Sequence, residues 1–268
     1  MRRLLFTAAI LIGMAAPALA QSTSGAATVA NREPAAIAGF AKGVEQVLAA
    51  HGARVAIVAR IGRDPKEMPE GLSYTHVGFW VYSQVQTSDG RTQPGYAAFN
   101  LYQNDADGNR SYLKQDFPFD FFSDVYQLRA GVIIPSPELQ ARLLQTIDSP
   151  VYARLHNPAY SIVANPFDGR YQNCTDFVLD VLTAALYRTS DKAVIKADER
   201  AYFTPQVVKV DGFRRLLAGI FVAGMHSDDH DSEIRTATFQ SIAEFLQRYN
   251  LAEAVLEVPE TSGSTVSH

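Results

Sequence analysis

The chain of 268 residues carries one thiol, Cys174, within Arg170-Tyr171-Gln172-Asn173-Cys174-Thr175-Asp176-Phe177. Pro166, Asp168 and Gly169 before it are turn formers, while Phe177, Val178, Val181, Leu182, Ala185 and Leu186 after it recur at helical spacing. Cys174 therefore falls in the first turn of an amphipathic helix. Unpaired backbone N–H groups and the positive end of the helix dipole favour a thiolate there, which is the nucleophilic form of cysteine. The same spacing sets Cys174 on the apolar face of that helix, where a buried and inert thiol is equally at home. Both readings stay open from this stretch.

A nucleophilic thiol needs a base, and the base usually needs a third polar group to orient it. The chain has six histidines. His51 ends the first amphipathic segment, where a cation suits the helix dipole, and His268 lies in the polar tail. His76, in Tyr74-Thr75-His76-Val77-Gly78-Phe79, sits inside a strand pattern with Gly78 on the same face. A glycine beside a strand histidine leaves room for another group to approach. His76 is thus either a general base or a satisfied core residue. His226-Ser227-Asp228-Asp229-His230-Asp231 could hold a divalent metal or simply be a solvated loop that caps the next helix. No distant third ligand stands out, so the metal reading of this loop is the weaker one. His156, beside Asn157-Pro158, is a site wall or a turn residue.

The elements that position these side chains follow from periodicity. Ile37, Phe40, Ala41, Val44, Val47 and Leu48 mark a helix from Ala35 to about Ala50. Residues 53–61 form a buried strand. Tyr74 to Val85 and Tyr96 to Tyr102 pair as a hairpin with a long loop, and Phe117 to Phe122 fills core irregularly. Gln127 to Ile134 is a further strand, and Ser136-Pro137-Glu138 starts a helix to about Ile147. Helices are expected at 191–201, 213–223 and 232–249. The fold class is α+β, with antiparallel strands, flanking helices and a helical C-terminal third.

Met1-Arg2-Arg3, an apolar run to about Met14 and Ala18-Leu19-Ala20 make a secretory signal peptide over residues 1–20. The mature chain is then periplasmic or secreted, and no later segment is long and apolar enough for a membrane span. Residues 21–33 read as a disordered lead-in, 34–257 as one domain, and 258–268 as a disordered tail. An oxidising compartment makes a lone thiol worth explaining, since it has no internal partner. A net charge of -4 gives no basic footprint for nucleic acid.

His76-Val77-Gly78 on an early strand, followed about a hundred residues later by Asn173-Cys174-Thr175-Asp176-Phe177-Val178 at a helix start, resembles the circularly permuted papain-like hydrolases. That group includes NlpC-type cell-wall peptidases and the lecithin–retinol acyltransferases. The resemblance covers roughly Ala53 to Arg188 and leaves 189–257 as a helical extension. It implies an antiparallel sheet packed on the Cys174 helix, with Cys174 as nucleophile and His76 as base. A polar residue on the neighbouring strand would orient His76, Gln103 ahead of Asn100, while Tyr171 or Gln172 would assist the oxyanion. The function implied is an exported cysteine hydrolase or acyltransferase acting on an amide or ester, with a peptidoglycan peptide or a lipid-linked acyl group as substrate. A catalytically inactive module that binds an envelope ligand or a partner protein is the alternative. Over nearly its whole mature length the chain is also similar to the exported bacterial family called domain of unknown function 2145. The matching residues are 54–64, 74–79, Pro135-Ser136-Pro137-Glu138-Leu139-Gln140, 170–173 and Glu233-Ile234-Arg235-Thr236.

Overall fold

The computed structural model describes Gly25 and residues 31–86, 90–209 and 224–260. The signal-peptide stretch and the helix expected at 213–223 lie outside the described residues. Six strands make one antiparallel sheet, in the spatial order β4 (Ser111–Asp116), β3 (Thr92–Gln103), β2 (His76–Gln86), β1 (Val55–Ile61), β5 (Gln127–Pro135) and β8 (Ala252–Pro259). β1 is central, and all seven of its residues are buried. A strand of Val, Ala, Ile and Arg with no polar alternation is what a sheet covered on both faces requires.

Side-chain alternation divides the core in two. On one face Ile57, Ala59, Val77, Phe79 and Leu101 pack under α3 (Pro137–Ile147), α4 (Pro150–Leu155), α5 (Cys174–Tyr187) and α7 (Phe239–Arg248). On the other face Val58, Trp80, Ala98, Ala130 and Val132 pack under α1 (Pro34–Ala50) and the one-turn α2 (Pro118–Phe121). α6 (Lys192–Tyr202) lies against α5. A small ribbon pairs β6 (Gln206–Val208) with β7 (Ile234–Thr236).

The mixed α+β architecture and the helix over the sheet agree with the sequence reading, but the C-terminal third is not purely helical. The helix expected from Ser232 starts only at Phe239, because residues 234–236 pair with β6 and Thr238 supplies the cap, accepting from the Ser241 N–H at 3.0 Å. Val255 and Leu256, beyond the last element expected from the sequence, belong to β8, which pairs Leu256 with Val132 and Val255 with Ile133. The expected disordered tail is a strand as far as Pro259. The lead-in is also tied down where it is described. The Gly25 carbonyl accepts from Arg60 Nη2 at 2.7 Å, Asn31 Nδ2 donates to the Val125 carbonyl at 3.0 Å, and Arg32 donates to the Tyr126 carbonyl.

Phe177 clamps α5 to this frame. It is 1% exposed and meets Tyr152 edge-on at 5.0 Å. Phe177→Ala is expected to lower stability by about 3–5 kcal/mol, the usual cost of deleting a buried ring. A urea midpoint shift at unchanged slope checks it.

Candidate functional site: a groove over Cys174

Asn173 starts α5 and anchors it twice. Its Oδ1 accepts from the Asp176 N–H at 2.9 Å, and its Nδ2 donates to the Ile162 carbonyl at 3.1 Å and to Thr236 Oγ1 at 3.3 Å. Thr175 Oγ1 lies 2.8 Å from Asn173 Oδ1 and 2.7 Å from the Ala237 carbonyl, and its single proton serves one at a time. The helix start is thereby fixed against the Ile162 segment and the end of β7.

Cys174 is 5% exposed and borders a groove with a cavity of about 100 Å³. Arg63, Leu72, Tyr74, Ile162, Ala237 and Thr238 are among its other walls. Burial pushes the thiol pKa up, against the opposing pull of the Val77, Thr175 and Cys174 backbone N–H groups. Desolvation wins because it acts on the whole charge of a thiolate, whereas each amide supplies only a partial dipole. Among the described residues, no histidine or carboxylate lines the groove. Burial first and the Glu257 charge second push the Tyr74 phenol up to about 12, so it is no base near neutral pH.

His76 is elsewhere. It is fully buried on the opposite face of the sheet, with its ring stacked 4.8 Å from Tyr102 and tilted 5.5 Å from Phe121. Val77, the next residue, is the one that faces the core of α5. The thiol and the imidazole are therefore separated by the strand itself, and His76 Nδ1 has no hydrogen-bond partner among the described residues. Burial, then the charge of Arg60, holds His76 well below its ordinary pKa, with the Asn100 hydrogen bond opposing. It is a neutral imidazole.

Of the two residues considered for orienting His76, Asn100 does so. Its Oδ1 is 3.1 Å from His76 Nε2, and its Nδ2 donates to the Ala98 carbonyl at 3.3 Å. That orientation puts the imidazole proton on Nε2 and leaves a lone pair on Nδ1. Gly78 is required because a Cβ there would lie 2.3 Å from Asn100 Oδ1. Gln103 misses by one residue of register: Phe79 pairs with Phe99, so Tyr102 comes opposite His76. Gln103 Nε2 donates instead to the Gly108 carbonyl at 2.8 Å.

Tyr171 and Gln172, the expected oxyanion helpers, do not line the groove. Tyr171 donates to Asp228 Oδ1 at 3.0 Å and stacks on His226 at 4.5 Å. Gln172 is buried, accepting from the Asn157 N–H at 2.8 Å and donating to Asp180 Oδ2 at 2.6 Å. In the 226–231 loop both His230 nitrogens are engaged, Nε2 with the Val163 carbonyl at 2.8 Å and Nδ1 with the Arg235 N–H at 3.3 Å. His226 Nε2 is 3.0 Å from Asn109 Oδ1. His156 pairs with Ser111 Oγ at 2.9 Å, and burial followed by the Lys192 and Arg110 charges pulls its pKa down to about 4.

Residues 47–246 match the family model described as an uncharacterized protein conserved in bacteria, DUF2145. The chain belongs to this family. No curated protein and no solved structure matches it significantly. The matched span contains Cys174, Arg63 and the rest of the groove lining, while β8 lies outside it.

The DUF2145 domain also holds a buried ionic cluster just behind the thiol. Lys196 Nζ lies 2.9 Å from Asp176, 2.6 Å from Asp180 and 3.1 Å from Glu199. The Glu199 contact is an ion pair without hydrogen-bond alignment, and neither Glu199 oxygen has a hydrogen-bond partner among the described residues. Oxygens of the three carboxylates lie within 4.8 Å of one another, a spacing able to hold a metal, and the Lys196 ammonium already sits among them as the cation. Burial pushes Asp176 up to about 8, with Lys196 opposing and Asp180 adding to the rise. Burial would lower Lys196, but the three carboxylates together outweigh it and hold it well above the usual ammonium value. The cluster went unseen in the sequence, although Asp176/Asp180 and Lys196/Glu199 have same-face spacing on their helices. Arg63 carried no sequence signal.

An Asp176 pKa raised from its unfolded value near 3.9 makes folding bind a proton between the two values. Its contribution to stability is full below about pH 4 and is lost as pH rises through about 8. Asp176→Asn is expected to flatten that decline, checked by urea midpoints measured across this range.

Proposed function

We propose that this DUF2145 protein is a non-catalytic ligand-binding module whose groove over Cys174 receives its ligand without covalent chemistry. One observation carries the reading: the thiol borders the groove, yet no general base among the described residues lines it, and His76 lies behind the sheet bonded to Asn100. Nucleophilic catalysis requires thiol and base within hydrogen-bond reach. A buried thiol with a raised pKa is the resting state of a wall residue. The leader-like start of the chain supports a ligand met outside the cytoplasm, in the cell envelope. An antiparallel sheet on a helix that opens with Asn-Cys, together with a His–Asn pair on neighbouring strands, supports descent from the permuted papain-like fold with its dyad taken apart.

The second reading is a cysteine hydrolase or acyltransferase acting on an amide or ester of an envelope substrate. It is favoured by the N–H groups around the Cys174 sulfur and by the open Nδ1 of His76. It requires His76 to reach the groove side of β2.

Iodoacetamide separates the two. A wall thiol is expected to react slowly, and only at pH above that needed by the same cysteine in urea; rapid alkylation near pH 6 would mean an activated nucleophile. Cys174→Ser is expected to complement a deletion strain as fully as the wild type, and loss of complementation by a folded C174S protein would return the function to catalysis.

A further inference from the structure

Among the described residues Arg63 is the only charged side chain lining the groove, and none of them pairs with it. A half-buried guanidinium with no counter-ion among the described residues, over walls that include Met68, Leu72, Ile162 and Ala237, matches a ligand with one anionic group and a small apolar body. The start of α5, a helix of 14 residues, adds positive potential at the same wall. We propose that the groove binds the free C-terminal end of a peptide whose last residue is small and apolar, with its carboxylate paired to Arg63 and its side chain against Cys174. This rests on the binding reading above and names the ligand class.

Size selects the peptide end over a fatty acid, the other common source of an apolar carboxylate. A cavity of about 100 Å³ has room for roughly seven to ten water-sized atoms, since each needs about 10–15 Å³. One terminal alanine with its carboxylate fits within that number, whereas a long acyl chain would have to run out of the open groove into water. Guanidinium is also suited to the carboxylate geometrically, because its paired N–H groups match both oxygens.

The test is protection of Cys174 from iodoacetamide, with calorimetry in parallel. The probes are N-acetyl-Ala-Ala in its L and D forms, the corresponding C-terminal amides, and decanoate, each with the full-length wild type and with Arg63→Gln. The acids are expected to slow alkylation and bind at least about tenfold more tightly than the amides, the loss typical of one charge-assisted interaction. R63Q is expected to erase that difference. Equal protection by acid and amide, or decanoate binding where both peptides fail, would overturn the carboxylate-end proposal and leave the groove reading intact. Failure of every probe to slow alkylation would overturn both.

Discussion

Adjacent residues of a β-strand point to opposite faces, and in β2 this rule separates His76 from Val77. Val77 joins the core beneath α5, while His76 joins the aromatic layer of Tyr102 and Phe121 beneath α1 and α2. Both faces of the sheet are covered, so the strand cannot roll to exchange them without exposing Phe79 on one side and Trp80 on the other. Much of the site chemistry depends on this. The thiol is left with amides and apolar walls, and the imidazole is left with an amide partner and an unpartnered nitrogen.

A fully buried arginine under α1 and a buried lysine behind α5 are solved differently. Under α1, Arg60 is fully buried and donates to the Phe121 carbonyl at 2.6 Å and the Gly25 carbonyl at 2.7 Å, with its guanidinium 5.5 Å from the centre of the Phe121 ring. Carbonyl dipoles and ring faces spread that charge. The cation beside His76 also keeps the imidazole neutral. Behind α5, Lys196 meets three carboxylates, and the cluster retains protons because three carboxylate charges beside one ammonium cost more than neutral acids do. Asp176 lies two residues from Cys174, so the cluster's ion pairs join the first turn of α5 to α6 and hold the groove wall in place.

Legibility followed the strength of local patterning. The α1 and α3 helices, the β1 and β5 strands and the β2–β3 hairpin were readable because their apolar periods are uninterrupted and their turns carry Gly or Pro. β8 was not, because a strand at the sheet edge with a partly exposed pattern resembles a tail until β5 is beside it. β7 was not, because three residues carry no period, and the helix pattern after Thr238 extends backward over it on paper. At the site, the pairing of His76 with a polar residue of the next strand was readable. Which residue it was turned on one step of hairpin register, because the strands run on to Gln86 and Thr92 and the expected long loop shrinks to residues 87–91.

The sequence by itself determined that Cys174 begins a helix, that His76 lies in a strand beside a glycine, and that the chain is an α+β protein of the DUF2145 family. These are local facts, set by capping, periodicity and sterics within a few residues. Only the tertiary structure decided that the thiol and the imidazole stay apart, that Arg63 reaches the groove and that Lys196 gathers three carboxylates. Which face of a strand meets which helix is fixed by the packing of two whole cores, a quantity that no short stretch of sequence contains.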